Sequence, residues 1–382
     1  MLIRTLQEFA AKPNCSELAR DACYPAVLNL IRENQQVDLL HPDVVKAGWP
    51  LAVVIRALLD FSAENHFIKF NPWDPTIVIK RFPPSLIAYQ YNPYRDARNR
   101  QATGQKAAPP AAGKRPDFLD WETFPDAEHY LIWTASSGRR FGILVQPVPI
   151  VPDHLIIASL DRETATGEHY PQQMTAGHLA DMHELQGLLG ALGYAMGFND
   201  HDAGASVDHF HTQAVPLGFL PLVRACCAGD LAVGRSWSLD GGARLQLLEE
   251  GMTVGVPGGP QPYPARGFLL SAAEHSALSA PKQALLAVLQ AADLRFNSIS
   301  WPMPDGTHAE AFFPRGQEAI LNRALKAGYV EMAGLLVLPN QDLFDSLADA
   351  EAGETGLGEA GLSAGAFSVV LETFMKKQER VG

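Results

Sequence analysis

The stretch Asp208-His209-Phe210-His211-Thr212-Gln213-Ala214-Val215-Pro216 decides how this chain is read. On an extended segment successive side chains point to opposite faces, so residues two apart share one. His209, His211 and Gln213 then line one side, and Asp208, Phe210 and Thr212 the other. Two imidazoles and a carboxamide in a row supply two nitrogens able to take a proton, attack or bind a metal, plus one neutral donor and acceptor. Such a face suits gripping a phosphate better than filling a dry core.

The residues just upstream agree. Phe198-Asn199-Asp200-His201-Asp202-Ala203-Gly204-Ala205-Ser206 is rich in turn formers and reads as a connection between two strands. Gly204 and Ala205 leave room for backbone to approach a ligand, and Ser206 offers a hydroxyl. Asn199, Gly204 and Ser206 are therefore candidate substrate-binding residues.

Gly204-Ala205-Ser206-x-x-His209-x-His211-x-Gln213 resembles the active-site signature of the histidine-triad superfamily. With Gln in third place it looks like the branch of galactose-1-phosphate uridylyltransferases, diadenosine tetraphosphate phosphorylases and GDP-hexose phosphorylases. The resemblance implies His211 as nucleophile, with the carbonyl of His209 holding its second ring nitrogen. It also implies a double-domain build. The expected fold is α+β: two histidine-triad-like half-barrels, each an antiparallel sheet with packed helices, the second degenerate.

Composition sets the bounds. The chain has 382 residues, 47% hydrophobic and 19% charged, enough for a large core and two similar halves. A formal net charge of −12 argues against a nucleic-acid binder, which would present a basic face to phosphates. Cys15, Cys23, Cys226 and Cys227 are too few and too clustered for a disulfide framework. No long apolar run reads as a membrane span, and Arg4 and Glu8 interrupt any leader core. A cytoplasmic protein, with a homodimer as an option, is the expectation.

Along the chain, residues 1–62 read as a helical extension, with Leu51, Val54, Leu58 and Leu59 at helical spacing and no visible chemistry. Residues 63–220 form the expected catalytic domain and 221–382 the second one. Phe67–Pro72 and Thr76–Lys80 look like strands broken by a turn. Phe70-Asn71-Pro72 resembles a segment near the nucleotide pocket of the same superfamily, which makes Asn71 a binding candidate. Asn92–Pro116 reads as a mobile loop whose Arg95, Arg98 and Arg100 are solvated loop charges in the first instance, and a diphosphate clamp in the alternative. Arg115-Pro116-Asp117-Phe118-Leu119-Asp120 stands where many relatives carry a cysteine pair that helps hold zinc. Carboxylates suit closed zinc sites less well than thiolates. No cofactor is required on this reading, and zinc would fall to Asp117, Asp120, His154 and His209.

Tyr130 to Val145 reads as a hairpin, and Val148–His154 leads into the strand beginning at Leu155. His154 is placed to touch the catalytic strand, a metal, or merely a strand end. Met174 to Leu192 reads as an amphipathic helix capped by Thr175 and stopped by Gly193, with His178 and His183 on its solvated face. In the second half, strands at 244–256 and 266–271, a helix at 281–296 and a strand pair at 297–313 repeat the order of the first. Ala350 to Ala364 reads as a loose Gly-, Ala- and Glu-rich connection before a final helix.

The expected activity is cleavage of a nucleoside diphosphate sugar at its α-phosphate, releasing hexose-1-phosphate and leaving a nucleotidyl-histidine that passes to phosphate or a sugar phosphate. Gln213, Ser206 and Asn199 would donate to the phosphoryl oxygens. The alternatives are a dinucleoside polyphosphate phosphorylase and a catalytically silent nucleotide-sugar binder. A fourth reading keeps His209 and His211 as a buried polar pair or metal clip.

Overall fold

The computed structural model describes residues 2–5, 23–40, 50–69, 71–83, 85–94, 119, 129–232, 235–248, 252–253, 263–321 and 325–378. Arg95, Arg98, Arg100, Asp117 and Asp120 lie outside them.

One sheet of eleven strands organises the molecule. In chain order these are β1 (Gln36–Asp38), β2 (Tyr130–Thr134), β3 (Arg140–Val145), β4 (Leu155–Ser159), β5 (Tyr194–Asn199), β6 (His211–Pro216), β7 (Ser236–Ser238), β8 (Arg244–Leu247), β9 (Phe268–Ala272), β10 (Phe296–Pro302) and β11 (His308–Pro314). Across the sheet they run β7-β8-β9-β11-β10-β5-β6-β4-β3-β2-β1. Every pair is antiparallel except β1–β2.

This order contains a duplication. From the centre outward the first half reads β5-β6-β4-β3-β2 and the second β10-β11-β9-β8-β7. Each half has three strands, a helix, then two strands, and the halves join by pairing β5 with β10, where Asn297 faces Asn199. Tyr194 pairs with Pro216 as Phe296 pairs with Pro314, so the positions of His211 and Gln213 correspond to Ala309 and Ala311. The second half keeps the fold and carries alanines where the first carries its imidazole and carboxamide.

Helices cover one face: α1 (Tyr24–Glu33), α2 (Leu51–Glu64), α3 (Ala176–Gly190), α4 (Ser279–Ala291) and α5 (Ala364–Gln378). Their apolar stripes join Phe141, Ile157, Phe198, Phe210, Phe268 and Phe312 in one core. Thr175 caps α3 as expected, its hydroxyl accepting from His178 N at 3.1 Å. On the opposite face a second core gathers Ile79, Tyr89, Val215, Phe219, Ile299, Phe313, Tyr329 and Leu336. There Val78–Arg81 and Ala88–Tyr91 pair with each other, and Leu335–Leu338 adds in parallel.

Residues 1–62 are not helical throughout: Leu2–Thr5 pairs antiparallel with Val78–Arg81, and β1 joins the edge of the large sheet beside β2. Three further local expectations are corrected. The described residues of 67–72, namely 67–69 and 71–72, form no strand. Phe67 N and Ile68 N both bond back to Ser62 O after His66 turns into the left-handed region (φ 57°), so this segment caps the end of α2. Residues 351–360 are a helix, not a loose connection. Its glycines permit close packing: a Cβ on Gly353 would lie 2.7 Å from the Tyr89 hydroxyl, which accepts from Gly353 N at 2.8 Å.

The third concerns α3, which is covered on two sides by the sheet and α4. His178 is buried at 1% exposure, its ring stacked on Phe210 at 3.9 Å. Burial and then Arg139 bring its pKa down to about 4. His183 stacks on His275 at 3.8 Å, and His275 lies 4.6 Å from His308. Behind them Lys282 is buried against Glu310 at 2.5 Å. Burial, then Lys282, lowers His183 to about 3 and His275 to about 4. The unfolded chain binds these protons near pH 6.5 and the fold does not, so the stability is complete above about pH 6.5 and drains away as pH falls towards 4. For His178 alone the loss by pH 4 is on the order of 3 kcal/mol. Urea midpoints are expected to fall steeply from pH 7 to 4.5, and less steeply in His178→Phe, which keeps the stack.

Candidate active site

Alternation on β6 divides its side chains as expected. Thr212 and Ala214 face the helices, and the Thr212 hydroxyl reaches Met182 Sδ at 3.4 Å. Phe210, just before the strand, sits in an aromatic cluster with Phe141, His178 and Phe198. His211, Gln213 and Val215 face the other way. His211 pairs with Ala158 and Gln213 with Ile156, both in a small apolar cluster with Leu119, Leu144 and Leu160. On the other side Gln213 pairs with Gly197 and Val215 packs into the second core. The polar strip thus runs along the seam between two apolar patches.

The hydrogen bonds set the state of each ring. His211 Nδ1 lies 2.8 Å from the carbonyl of His209 and must carry the proton to donate to it. The lone pair is then on Nε2. His209 is fully buried, its Nε2 2.7 Å from Ser159 O and its ring stacked on His169 at 4.2 Å. Its side chain anchors the strand entry, while its backbone carbonyl serves His211. Ile150 N donates to His154 Nδ1 at 3.3 Å, so the proton of His154 is on Nε2, which meets Gln213 Oε1 at 2.8 Å. With its oxygen held, Gln213 turns its NH2 away from His154. Asp208 points off this face, its carboxylate accepting from Gln172 N at 3.0 Å.

Gln172 escaped the sequence reading. It is fully buried, its Oε1 accepts from His211 N at 2.7 Å, and its Nε2 donates to Asn199 O at 2.6 Å and His211 O at 2.9 Å. One carboxamide therefore ties the end of β5 to the start of β6. Nothing in Pro171-Gln172-Gln173 marks this, because both partners are remote in sequence.

Two candidate substrate ligands have a different role. Asn199 is buried, and its Oδ1 accepts from Asn297 Nδ2 at 2.9 Å and Tyr329 N at 2.6 Å. Arg315, also buried, bonds the other end of Asn297 and donates to Ala327 O at 2.6 Å. Gly204 (φ 92°) lies so close to Ala327 and Gly328 that a Cβ would meet their backbone at 2.7 Å. These two residues seat the 327–329 segment of the second half against the β5–β6 turn, in place of the open space beside a ligand expected for Gly204. Ser206 is exposed in that turn. Asn71 is exposed and accepts from Trp73 N at 3.0 Å, capping its own turn outside this bonded cluster. Of the possible zinc ligands, His154 is turned to Gln213 and His209 to Ser159. Among the described residues no group of three or more His, Cys, Asp or Glu is arranged to hold a metal.

Asp200, beside Asn199, is 3% exposed, and burial pushes its carboxyl up to about 7. The fold keeps the proton up to about pH 7 and the unfolded chain loses it near 3.8, so ionising Asp200 works against folding as pH rises through that window. Asp200→Asn retains an acceptor for His201 N, now bonded to Oδ1 at 2.9 Å. Its melting temperature is expected to exceed that of the parent most at pH 8, by less at pH 5, and to match it only near pH 3.8. A lower value at pH 8 would mean that the carboxylate is held by a charge partner.

Comparison with known proteins adds to this geometry. Residues 77–216, which contain the whole seam, match the model of a domain of unknown function, DUF4922. No curated protein matches the chain. Among solved structures, yeast Ap4A phosphorylase Apa2 in complex with Ap4A superposes with a TM-score of 0.50 at 13% identity, covering 81% of this chain and 96% of that one. The same yeast enzyme in complex with AMP gives 0.49 at 15% identity over the same shares. The likeness is one of fold: a mixed α+β, histidine-triad-like architecture with a large antiparallel sheet and packed helices. No described helix is long and apolar enough to cross a membrane.

Proposed function

We propose that the protein is a nucleotidyltransferase or phosphorylase that works through a nucleotidyl-histidine on His211. The observation that carries this reading is the 2.8 Å contact from His211 Nδ1 to the His209 carbonyl, which puts the ring's proton on Nδ1 and its lone pair on Nε2. The donor is a nucleoside diphosphate sugar. Nε2 bonds to the α-phosphorus, the bond to the bridging oxygen breaks, and hexose-1-phosphate leaves as an anion without needing a proton. Positive charge that develops on the ring is shared with the His209 carbonyl. The Gln213 NH2, fixed by His154, donates to a non-bridging oxygen, and Ser206, exposed in the turn that precedes β6, is the second donor. Phosphate or a sugar phosphate then attacks the phosphorus, and the P–N bond breaks to return neutral His211.

A second donor class is supported by the fold: a dinucleoside polyphosphate, as bound in the yeast relative, would leave a nucleotide in place of the sugar phosphate. Both classes demand exchange. Labelled hexose-1-phosphate should enter a nucleotide sugar without any second acceptor, and labelled nucleoside polyphosphate should enter a dinucleoside polyphosphate if that is the donor. Exchange with neither class would overturn the reading.

A further inference from the structure

We propose that Arg56, on the N-terminal helix α2, is a positioning residue for Gln213, acting through Asp153 and His154. The inference rests on the role given to Gln213 above. Arg56 is half-buried, and its Nε donates to Asp60 Oδ1 at 2.9 Å, one helical turn on. The other oxygen of Asp60 accepts from the Tyr24 hydroxyl of α1 at 2.5 Å. So fixed, Arg56 sets Nη1 3.5 Å from Asp153 Oδ1.

Asp153 is an unusual residue to find there. Its φ of 57° is in the left-handed region that non-glycine residues adopt at a cost, and it is mostly buried. Burial raises its carboxyl pKa, and Arg56 is the cation that opposes the rise. A strained acidic residue at this point needs a fixed partner to hold the turn Pro152-Asp153-His154. The next residue is the imidazole whose Nε2–H meets Gln213 Oε1 at 2.8 Å. A carboxamide whose oxygen is pinned can present only its NH2 to the other side. The chain of contacts from Arg56 therefore ends on the orientation of the donor group in the seam. On this account the N-terminal helices are part of the site.

The test has two arms on the full-length protein. Selective 15N labelling of histidine and glutamine reads the His154 tautomer and the Gln213 side-chain amide without substrate. Arg56→Gln should shift both, and Arg56→Lys should restore them. In the exchange assay Arg56→Gln should lower kcat about tenfold, the worth of one misdirected hydrogen bond. That loss should vanish in a Gln213→Ala background, because a residue acting through Gln213 has nothing left to position. Unmoved resonances, or an equal loss of kcat with Gln213 absent, would overturn the proposal. Shifted resonances in a protein whose parent exchanges no donor would sink the donor chemistry and leave the positioning intact.

Discussion

His211→Asn is expected to reduce exchange and phosphorolysis by at least about 10⁴-fold, because no other group in the seam can form the covalent intermediate. Asparagine is close in shape and can donate to the His209 carbonyl, so the fold should survive, and circular dichroism and melting temperature should match the parent. The contrast with the neighbouring histidine is sharper than the sequence suggests. His209 serves His211 through its backbone carbonyl, while its ring bonds Ser159 O. His209→Gln keeps a side-chain donor and the carbonyl, and should cost no more than about tenfold in kcat. Equal, complete losses in both variants would show that the two rings act alike, as in a metal clip.

Gly197→Ala is expected to destabilise the protein by about 3 kcal/mol or more. A Cβ there would lie 2.0, 2.3 and 2.4 Å from ring atoms of Tyr329, a residue 1% exposed. The ring cannot yield, since Tyr329 N is bonded to Asn199 and its segment is held by Arg315 through Ala327. Urea titration should show a large fall in midpoint. Trimming the ring opposite, in Tyr329→Ala, removes a large core side chain and is itself costly, yet Gly197→Ala should add little to it. Full additivity of the two would mean that the contact is not the cause.

Much of this was legible in the sequence. The His-x-His-x-Gln alternation placed His211 and Gln213 on one face because a strand has a period of two, whereas His209 precedes β6 and turns its ring to Ser159 O. The α3 stripe, its Thr175 cap and the repeated strand–helix–strand order were equally local. What escaped depends on distant partners. Gln172 matters because it meets His211 39 residues away, and Arg56 because α2 packs beside the Asp153 turn. Asn199 and Gly204 looked like ligands to phosphate because small and polar residues in a turn serve ligands and neighbouring backbone equally well, and residues 327–329 took both. His178 was placed on the solvated side because a helix covered by both a sheet and a second helix buries more than one stripe. Glycines at 353 and 356 suggested looseness but mark tight packing, against Tyr89 and against Ile320.

The most direct measurement is the intact mass of the protein after mixing with donor alone, quenched above neutral pH where a phosphorus–nitrogen bond to histidine persists. Wild type should gain one nucleoside monophosphate, peptide mapping should place it on His211, added phosphate should discharge it, and His211→Asn should gain nothing. Steady turnover of the donor with no adduct on any residue, or an adduct that survives His211→Asn, would contradict the account.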